Sequence, residues 1–371
     1  MIQELEKIEG SNPQKYWKLV NDLREKKQND TTFDTEDFTV FFEKLYSKDN
    51  KQENKTIEEY VLKTLEGVPN VISESPDFTI EELKKAVNKL KNNKSAGPDR
   101  IPGEMIKASP EHILLVLLKI MNMIKVTCQY PTKWAMGITS LLFKDGDDED
   151  PNNHRAITVA DALSKILAIM INERLEEWCQ REDILQIEQI GFKKKSRPGD
   201  HLFVLKTLID HYNSHGKKLY ACFVDFRKAF DCVWRTGLLF KLIKYGMNHA
   251  LIRLIKNMYD KTCQSLKINN EVTRSFRTFK GVRQGCILSP KLFNLFINDI
   301  PKNFDNSCKP ILLGQEKINC LMYADDLVVF SETETGLQNC LDKLHAYTLK
   351  WDLQMNLSKT KVIIFQSTLI S

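Results

Sequence analysis

Residues 321–330 read Leu-Met-Tyr-Ala-Asp-Asp-Leu-Val-Val-Phe, an apolar run fit for a buried strand but with two adjacent carboxylates at its centre. Charged groups avoid low-dielectric surroundings unless they are paired or hold a metal. The pattern makes sense if residues 319–323 and 327–330 are two strands joined by a turn around Ala324 and Asp325. Two-residue hairpin turns need positive φ and favour Asn-Gly or Asp-Gly. Ala-Asp is a poor choice for folding alone, and such mismatches are expected where local rules yield to function. Two readings stay open from the hairpin itself. One is a solvated acidic turn; the other is a turn whose carboxylates hold a divalent cation that relieves their repulsion.

A second carboxylate has a similar context. The apolar run 219–224 ends at Asp225, and the spacing predicts a helix starting just after it. Asp225 is then either the N-cap of that helix or a strand-end ligand facing the hairpin tip. Residues 280–290 place Gly281 and Gly285 around Val-Arg-Gln, just before a helix predicted over 290–300 with Ser289 as N-cap. Glycine permits close backbone approach to a ligand, and Gln284 offers both donor and acceptor. Alone, this is also simply a turn before a helix.

The rest of the chain bounds these readings. With 371 residues it can hold more than one sizeable core. Lys+Arg 54 against Asp+Glu 49 gives a net charge of +5, mildly basic and compatible with a polyanionic partner. The nine cysteines form no Cys-x-x-Cys pair and several lie in apolar runs, so they read as reduced core thiols of an intracellular protein and not as zinc ligands. The N-terminal decapeptide has no apolar signal-like core. The stretch 112–126 is too short to span a bilayer and contains Lys119 and Lys125, so a core helix is expected there.

Residues 1–75 read as a polar helical leader with short helices near 13–24 and 35–46 and a solvated linker over 47–55. Thr79-Ile80-Glu81-Glu82 is a capping-box pattern, followed by Ile80, Leu83, Val87 and Leu90 at helical spacing. Strands are expected over 138–143 and 219–224, and helices over 164–178, 200–212 and 238–245. Helices interleaved irregularly with hairpin-like strands give a mixed α/β (α+β) class, not a regular doubly wound one.

Taken together, VDFRKAFDCVW (224–234), GVRQGCILSPKLFNLFINDI (281–300) and YADDLVVF (323–330) closely resemble reverse transcriptases of non-LTR, LINE-type retrotransposons. The resemblance extends to SAGPDRIPGEMIK (95–107), LLFKDGDDEDPNNHRAITV (141–159), QIGFKKKSRPGDHLFVLKTLI (189–209) and WDLQMNLSKTKVIIF (351–365). Residues 13–27 also look like the segment preceding the polymerase domain in such elements. This wording sets the chain apart from group II intron and telomerase-type relatives.

The resemblance implies the fingers and palm of a right-hand polymerase, with fingers over 76–218 and palm over 219–371. It implies RNA-directed DNA synthesis from a primer 3′-OH with an RNA template, a DNA primer, deoxynucleoside triphosphates and two Mg²⁺ ions. Asp225, Asp325 and Asp326 would hold the ions, with the carbonyl of Phe226 as a further ligand. Phe230 would guard the sugar 2′ face, since the 2′-OH is what separates RNA from DNA. Gln284 and Gly285 would contact the incoming nucleotide or its template base. Lys144 and Arg155 would clamp the triphosphate. Lys359 would protonate the leaving pyrophosphate. The run Lys193-Lys194-Lys195-Ser196-Arg197 would track template phosphates, a plain charge run and a nuclear-entry signal being the alternatives.

Two departures qualify that expectation. Residues 153–157 read Asn-His-Arg-Ala-Ile, where the family usually has Tyr before the arginine and Pro after it, so a looser loop presenting Arg155 is expected. Asp161 lies where relatives are more apolar. The chain ends at Ser371, before the primer grip and thumb that normally follow, so a truncated copy is expected. The competing expectation is a catalytically silent remnant that at most binds nucleic acid. No membrane partner is expected, and location reads as nucleus or cytoplasm.

Overall fold

The computed structural model describes residues 34–48, 54–66, 76–268 and 271–366, and the helix expected near 13–24 lies outside them. Helices α1 (Thr35–Leu45), α2 (Lys55–Glu66), α3 (Ile80–Lys89), α4 (Gly103–Lys107) and α5 (Glu111–Thr127) come first. Strands β1 (Met136–Phe143) and β2 (His154–Val159) follow, then α6 (Ala162–Arg181), α7 (Pro198–Ser214) and β3 (Leu219–Val224). Helices α8 (Arg235–Lys244) and α9 (His249–Asp260) lead to β4 (Cys263–Ile268), β5 (Glu271–Val272) and β6 (Phe276–Arg277). The chain continues with α10 (Ser289–Ile297), β7 (Ile311–Leu313), β8 (Glu316–Ile318), β9 (Cys320–Tyr323), β10 (Asp326–Ser331), α11 (Glu334–Trp351) and β11 (Lys361–Phe365). This is the mixed α/β class the pattern implied.

The strands form two principal sheets. The first has the order β2-β1-β4-β5, with β6 also paired to β4. Its β1–β4 pairing is parallel and joins residues far apart in sequence, such as Met136 and Cys263. Residues 263–277 therefore belong to the same sheet as β1 and β2 although they follow β3. The second sheet, β11-β3-β10-β9, is antiparallel throughout. Its central strands are buried on both faces, which is why their sequences are continuous apolar runs and not alternating ones.

Local chemistry explains the helix starts. Glu82 N–H donates to Thr79 Oγ1 at 3.2 Å and Thr79 N–H to Glu82 Oε2 at 2.7 Å, the reciprocal cap expected for α3. Asp34 caps α1 through Glu36 N–H at 2.9 Å. Helix α10 begins one residue earlier than expected: Ser289 is its first residue, and Leu288 occupies the cap with no side-chain hydrogen bond. Helix α5 is a core helix on one side only. Leu114, Met121 and Ile124 are buried, whereas Ile113, Val116 and Met123 face outwards.

The described parts of the segment expected to be a leader, 34–48 and 54–66, are packed into the molecule. Phe38, Phe42 and Tyr46 of α1 and its closing turn form a core with Ala156, Leu266, Ile268 and Phe276 of the first sheet. Helix α2, which the sequence reading placed within a polar region, buries Val61 and Leu65 and packs on α8. All nine cysteines are free and seven are buried. Among the described residues, no helix is long and apolar enough to cross a membrane.

Candidate active site

The acidic end of the second sheet is set by register. Val224 of β3 pairs with Leu327 of β10, so the next position outwards brings Asp225 opposite Asp326. Asp326 in turn pairs with Tyr323, which leaves Ala324 and Asp325 as a two-residue turn. Ala324 takes φ 55°, the positive value that the hairpin demands and that a non-glycine residue resists. Gln189 holds it there. The buried Gln189 amide accepts the Ala324 N–H at 3.0 Å and donates to the Ala324 carbonyl at 3.1 Å. Its Oε1 also accepts the Gly191 N–H at 2.8 Å. A Cβ on Gly191 would sit 2.1 Å from the Ala324 nitrogen, so only glycine allows this approach.

No helix begins after Asp225, so it is not an N-cap. Phe226 forms an isolated bridge with Met355, and residues 227–232 turn back before α8 starts at Arg235. Asp225 is braced from the other side, where Asn356 Nδ2 donates to its Oδ2 at 2.9 Å and Asn356 N–H to its carbonyl at 2.7 Å. Asn356 lies in the quoted motif 351–365, where no role was expected of it.

Burial raises the carboxyl pKa of Asp325, and the charge of Asp225 adds to it. Asp326 is raised by burial and then by Asp325 and Asp225. Hard oxygen donors that repel one another at one sheet edge fit a divalent cation by donor chemistry. Among the described residues, however, no three His, Cys, Asp or Glu side chains converge as a ready-made ligand cluster.

The first sheet brings positive charge to the same place. Arg155 lies on β2 opposite Leu142, and Lys144 follows β1, its N–H donating to the Asn153 carbonyl at 2.9 Å. Both side chains are exposed. Both lower the Asp325 carboxyl, against the effect of burial. Arg155 stands on a regular strand and not on a loop. Ala156, at the position where a proline was expected, pairs with Leu141 and is buried, so the departure leaves Arg155 held by the ladder. Asp161 is buried as well, accepting the Asp99 N–H at 3.1 Å.

Between the two charged edges lies a packed pocket wall. Phe230 stacks on Phe293 of α10 at 4.4 Å between centroids and meets Phe192 edge-on at 6.3 Å. The 281–285 loop is clamped at both glycines. Gly281 has φ 81° and Gly285 φ 108°, and added Cβ atoms would lie 2.6 Å from the Asp231 and Thr158 carbonyl oxygens respectively. The Gln284 carbonyl accepts the Thr158 N–H at 2.8 Å, three residues along the strand from Arg155. Lys228 Nζ donates to the Pro151 and His154 carbonyls at 3.4 and 3.5 Å, tying the turn after Asp225 to that strand. The sequence reading missed Asp231 and Tyr46, which hydrogen-bond each other behind Gln284.

Lys359 lies on a different wall. It lines a cavity of about 470 Å³ with Asp225, Asp326, Tyr323, Leu202 and Leu205. Lys194, Lys195 and Arg197 are exposed, with Lys193 half-buried, between Phe192 and the start of α7. The structure thus brings Asp225, Asp325, Lys144 and Arg155 within electrostatic reach of one another and puts Asp225 and Asp326 in one cavity with Lys359, while Gln284 bonds to Asp231 and Gly285 lines a separate cavity with Arg283 and Cys286.

Residues 144–368, more than half of the chain, match the reverse transcriptase (RNA-dependent DNA polymerase) family. The chain is 28% identical over 307 residues to the RNA-directed DNA polymerase from mobile element jockey of Drosophila funebris, covering 78% of this chain and 32% of that one. It is 28% identical over 289 residues to the probable RNA-directed DNA polymerase from transposon BS of Drosophila melanogaster, covering 76% and 31%. A match to the Pol polyprotein of a type-2 retrotransposable element of the same fly is 27% identical over 283 residues, covering 76% and 26%. The chain spans about a third of the length of the first two curated relatives. Among solved structures, an apo telomerase from Candida Tropicalis aligns with TM-score 0.47 and 13% identity, over 64% of this chain and 51% of that chain.

Proposed function

The chain belongs to the reverse transcriptase family, and from that premise we propose that it extends a primer 3′-OH with deoxynucleotides on an RNA template, as part of a non-LTR retrotransposon protein. The first sheet with its helices would act as fingers and the second as palm, with 263–277 added to the fingers expected over 76–218. The observation that carries the reading is electrostatic. Three carboxylates stand at the end of one sheet, and Lys144 and Arg155 of the other act on Asp325 among them and on Asp231 beside Phe230 and Gln284.

Asp225, Asp325 and Asp326, with the Phe226 carbonyl, would hold two Mg²⁺ ions. Bound there, such ions lower the pKa of the attacking hydroxyl and neutralise charge on the triphosphate. Arg155 and Lys144 would grip the triphosphate, the guanidinium by paired hydrogen bonds and the ammonium as a point charge. The primer oxygen would then give its proton to water and bond to the α-phosphorus as the bond to the bridging oxygen breaks and pyrophosphate leaves. Lys359 Nζ would give its proton to the departing pyrophosphate. The Phe230 ring, fixed by its stack on Phe293, would exclude a ribose 2′-OH.

The test is primer extension by the purified chain with an RNA template, an annealed DNA primer, deoxynucleotides and Mg²⁺, beside Asp325→Asn and Asp326→Asn variants. Extension that disappears in both variants and with chelator supports the reading. Duplex binding without metal-dependent extension by the wild-type chain supports the silent, nucleic-acid-binding alternative.

A further inference from the structure

Behind Gln284 lies a buried polar pair, Tyr46 and Asp231, that has no part in the chemistry above. Asp231, 5% exposed, closes the turn after Phe230. Its Oδ1 accepts the Tyr46 hydroxyl at 2.7 Å and its Oδ2 accepts Gln284 Nε2 at 2.8 Å. Each member is held independently. Tyr46, 4% exposed, stacks on Phe42, and its carbonyl accepts the Phe279 N–H at 2.8 Å. Gln284 is tied through its own carbonyl to Thr158, and Asp231 is covered by Gly281.

An ionised carboxylate only accepts hydrogen bonds, whereas an amide has one donating and one accepting end. With Tyr46 on one carboxylate oxygen, the other is left for the Gln284 nitrogen. The amide oxygen of Gln284 is then the end turned away from Asp231. We propose that Tyr46 and Asp231 are positioning residues that lock the Gln284 amide with its oxygen towards the substrate, and thereby sharpen selection of the incoming nucleotide. The selection half rests on the polymerase reading; the locking half does not. Differences of about tenfold or more between correct and incorrect ligands come from such oriented polar groups, because the wrong partner leaves them unpaired.

The same geometry makes the lock sensitive to protonation. Burial pushes the Asp231 carboxyl up to about 6, against the Tyr46 hydrogen bond and the charges of Lys228, Lys144 and Arg155. Tyr46 is itself raised by burial and by Asp231, with Cys232 adding and Arg235 opposing, so it stays a donor. A protonated Asp231 would be able to donate as well as accept, and the amide would be free to invert.

Two measurements test this. In the full chain labelled with ¹⁵N-glutamine, the Gln284 side-chain resonance is assigned by its absence from Gln284→Ala. It should shift between about pH 8 and about pH 5 with a midpoint near 6. The shift should vanish in Asp231→Asn, and its midpoint should rise in Tyr46→Phe. A resonance indifferent to pH in the wild type, or titrating unchanged in Asp231→Asn, overturns the lock without reference to activity. In the extension assay, the matched-to-mismatched ratio of kcat/KM does not depend on the folded fraction. It should fall about tenfold in Tyr46→Phe and Asp231→Asn, with KM rising more than kcat falls. Unchanged ratios in both variants overturn the selection role. If the wild-type chain extends no primer, the polymerase reading fails, and the resonance alone decides whether Gln284 is locked.

Discussion

The two sheets offer opposite charges to one cleft, and they differ in how far each bends the rules of folding to do so. The second sheet sets Ala324 at positive φ and crowds three carboxylates, two of them with raised pKa. It needs support from behind, which Gln189, Gly191 and Asn356 supply. The first sheet presents Arg155 from a regular strand and Lys144 from just beyond one, both exposed to solvent. Strain stored at one edge is what a functional site is expected to show, while exposed cations cost the fold little. Substitutions on the acidic edge should therefore move activity and stability in opposite directions. Those on the basic edge should move activity alone.

The largest effect tests the acidic edge. Asp325→Asn should lower extension by about 10³-fold, the scale of losing a charged group that acts on the transition state. In chelator the same variant should melt higher by about 2 °C, since a crowded negative charge is gone. The sign follows from the raised pKa values. A carboxyl raised in the folded state binds its proton more tightly there, so its contribution to stability is lost as pH climbs from the unfolded value through the folded one. Metal-free wild type should thus lose stability over that window, Asp325→Asn should lose less, and Mg²⁺ should restore it at neutral pH. Melting curves with chelator and with Mg²⁺ across this range check all three.

On the basic edge, Arg155→Ala should raise the KM for deoxynucleotide between about 10- and about 100-fold, the value of a lost charge-assisted hydrogen bond. The melting temperature should stay nearly constant, because the guanidinium is exposed. Arg155→Lys should recover part of the affinity but not the paired geometry. Steady-state kinetics beside a thermal melt separates the edges. A clear drop in melting temperature would show that Arg155 also braces the cleft.

A smaller effect is expected behind the acidic turn. Gln189→Ala would leave the buried N–H groups of Ala324 and Gly191 without their acceptor. That should cost about 1–3 kcal/mol in denaturant unfolding and slow extension with KM nearly unchanged. A variant equal to wild type in both would mean that the hairpin holds φ at Ala324 unaided.

This asymmetry also governs what the sequence could tell. Residues 219–224 and 320–331 were legible because a buried antiparallel pair leaves continuous apolar runs, and because Ala-Asp is conspicuous in a hairpin turn. The α3 cap was legible because it is local. The spacing of Ala229, Phe230 and Val233 imitated a helix after Asp225. Hydrogen bonds from Gln284 and Tyr46 to Asp231 accompany a turn there instead. Tyr46 and Asp231 lie 185 positions apart, and no local pattern connects them. Helix α2 left a faint trace in Ile57, Val61 and Leu65, spaced by four among charged neighbours, which a polar composition concealed. The strand setting of Arg155 was hidden for a similar reason, since β1 completes its sheet only by pairing with the distant β4.

The basic run after Phe192 gives the smallest expected effect and extends the comparison to the outside of the cleft. It leaves the Gly191 connection that supports the acidic turn, and Phe192 touches Phe230. Lys194, Lys195 and Arg197 are exposed, and Arg197 enters the fold through its backbone N–H, which donates to Asp200 Oδ2 at 2.8 Å at the start of α7. If they meet template phosphates, each replacement by alanine should weaken binding to an RNA–DNA duplex only a few-fold and reduce the log–log salt slope by about 1. Melting temperature and the extension rate at saturating duplex should not move. A slope that stays the same after all three are replaced would make the run a solvated surface feature. Positive charge at the site would then come from residues such as Lys144, Arg155, Lys228 and Lys359.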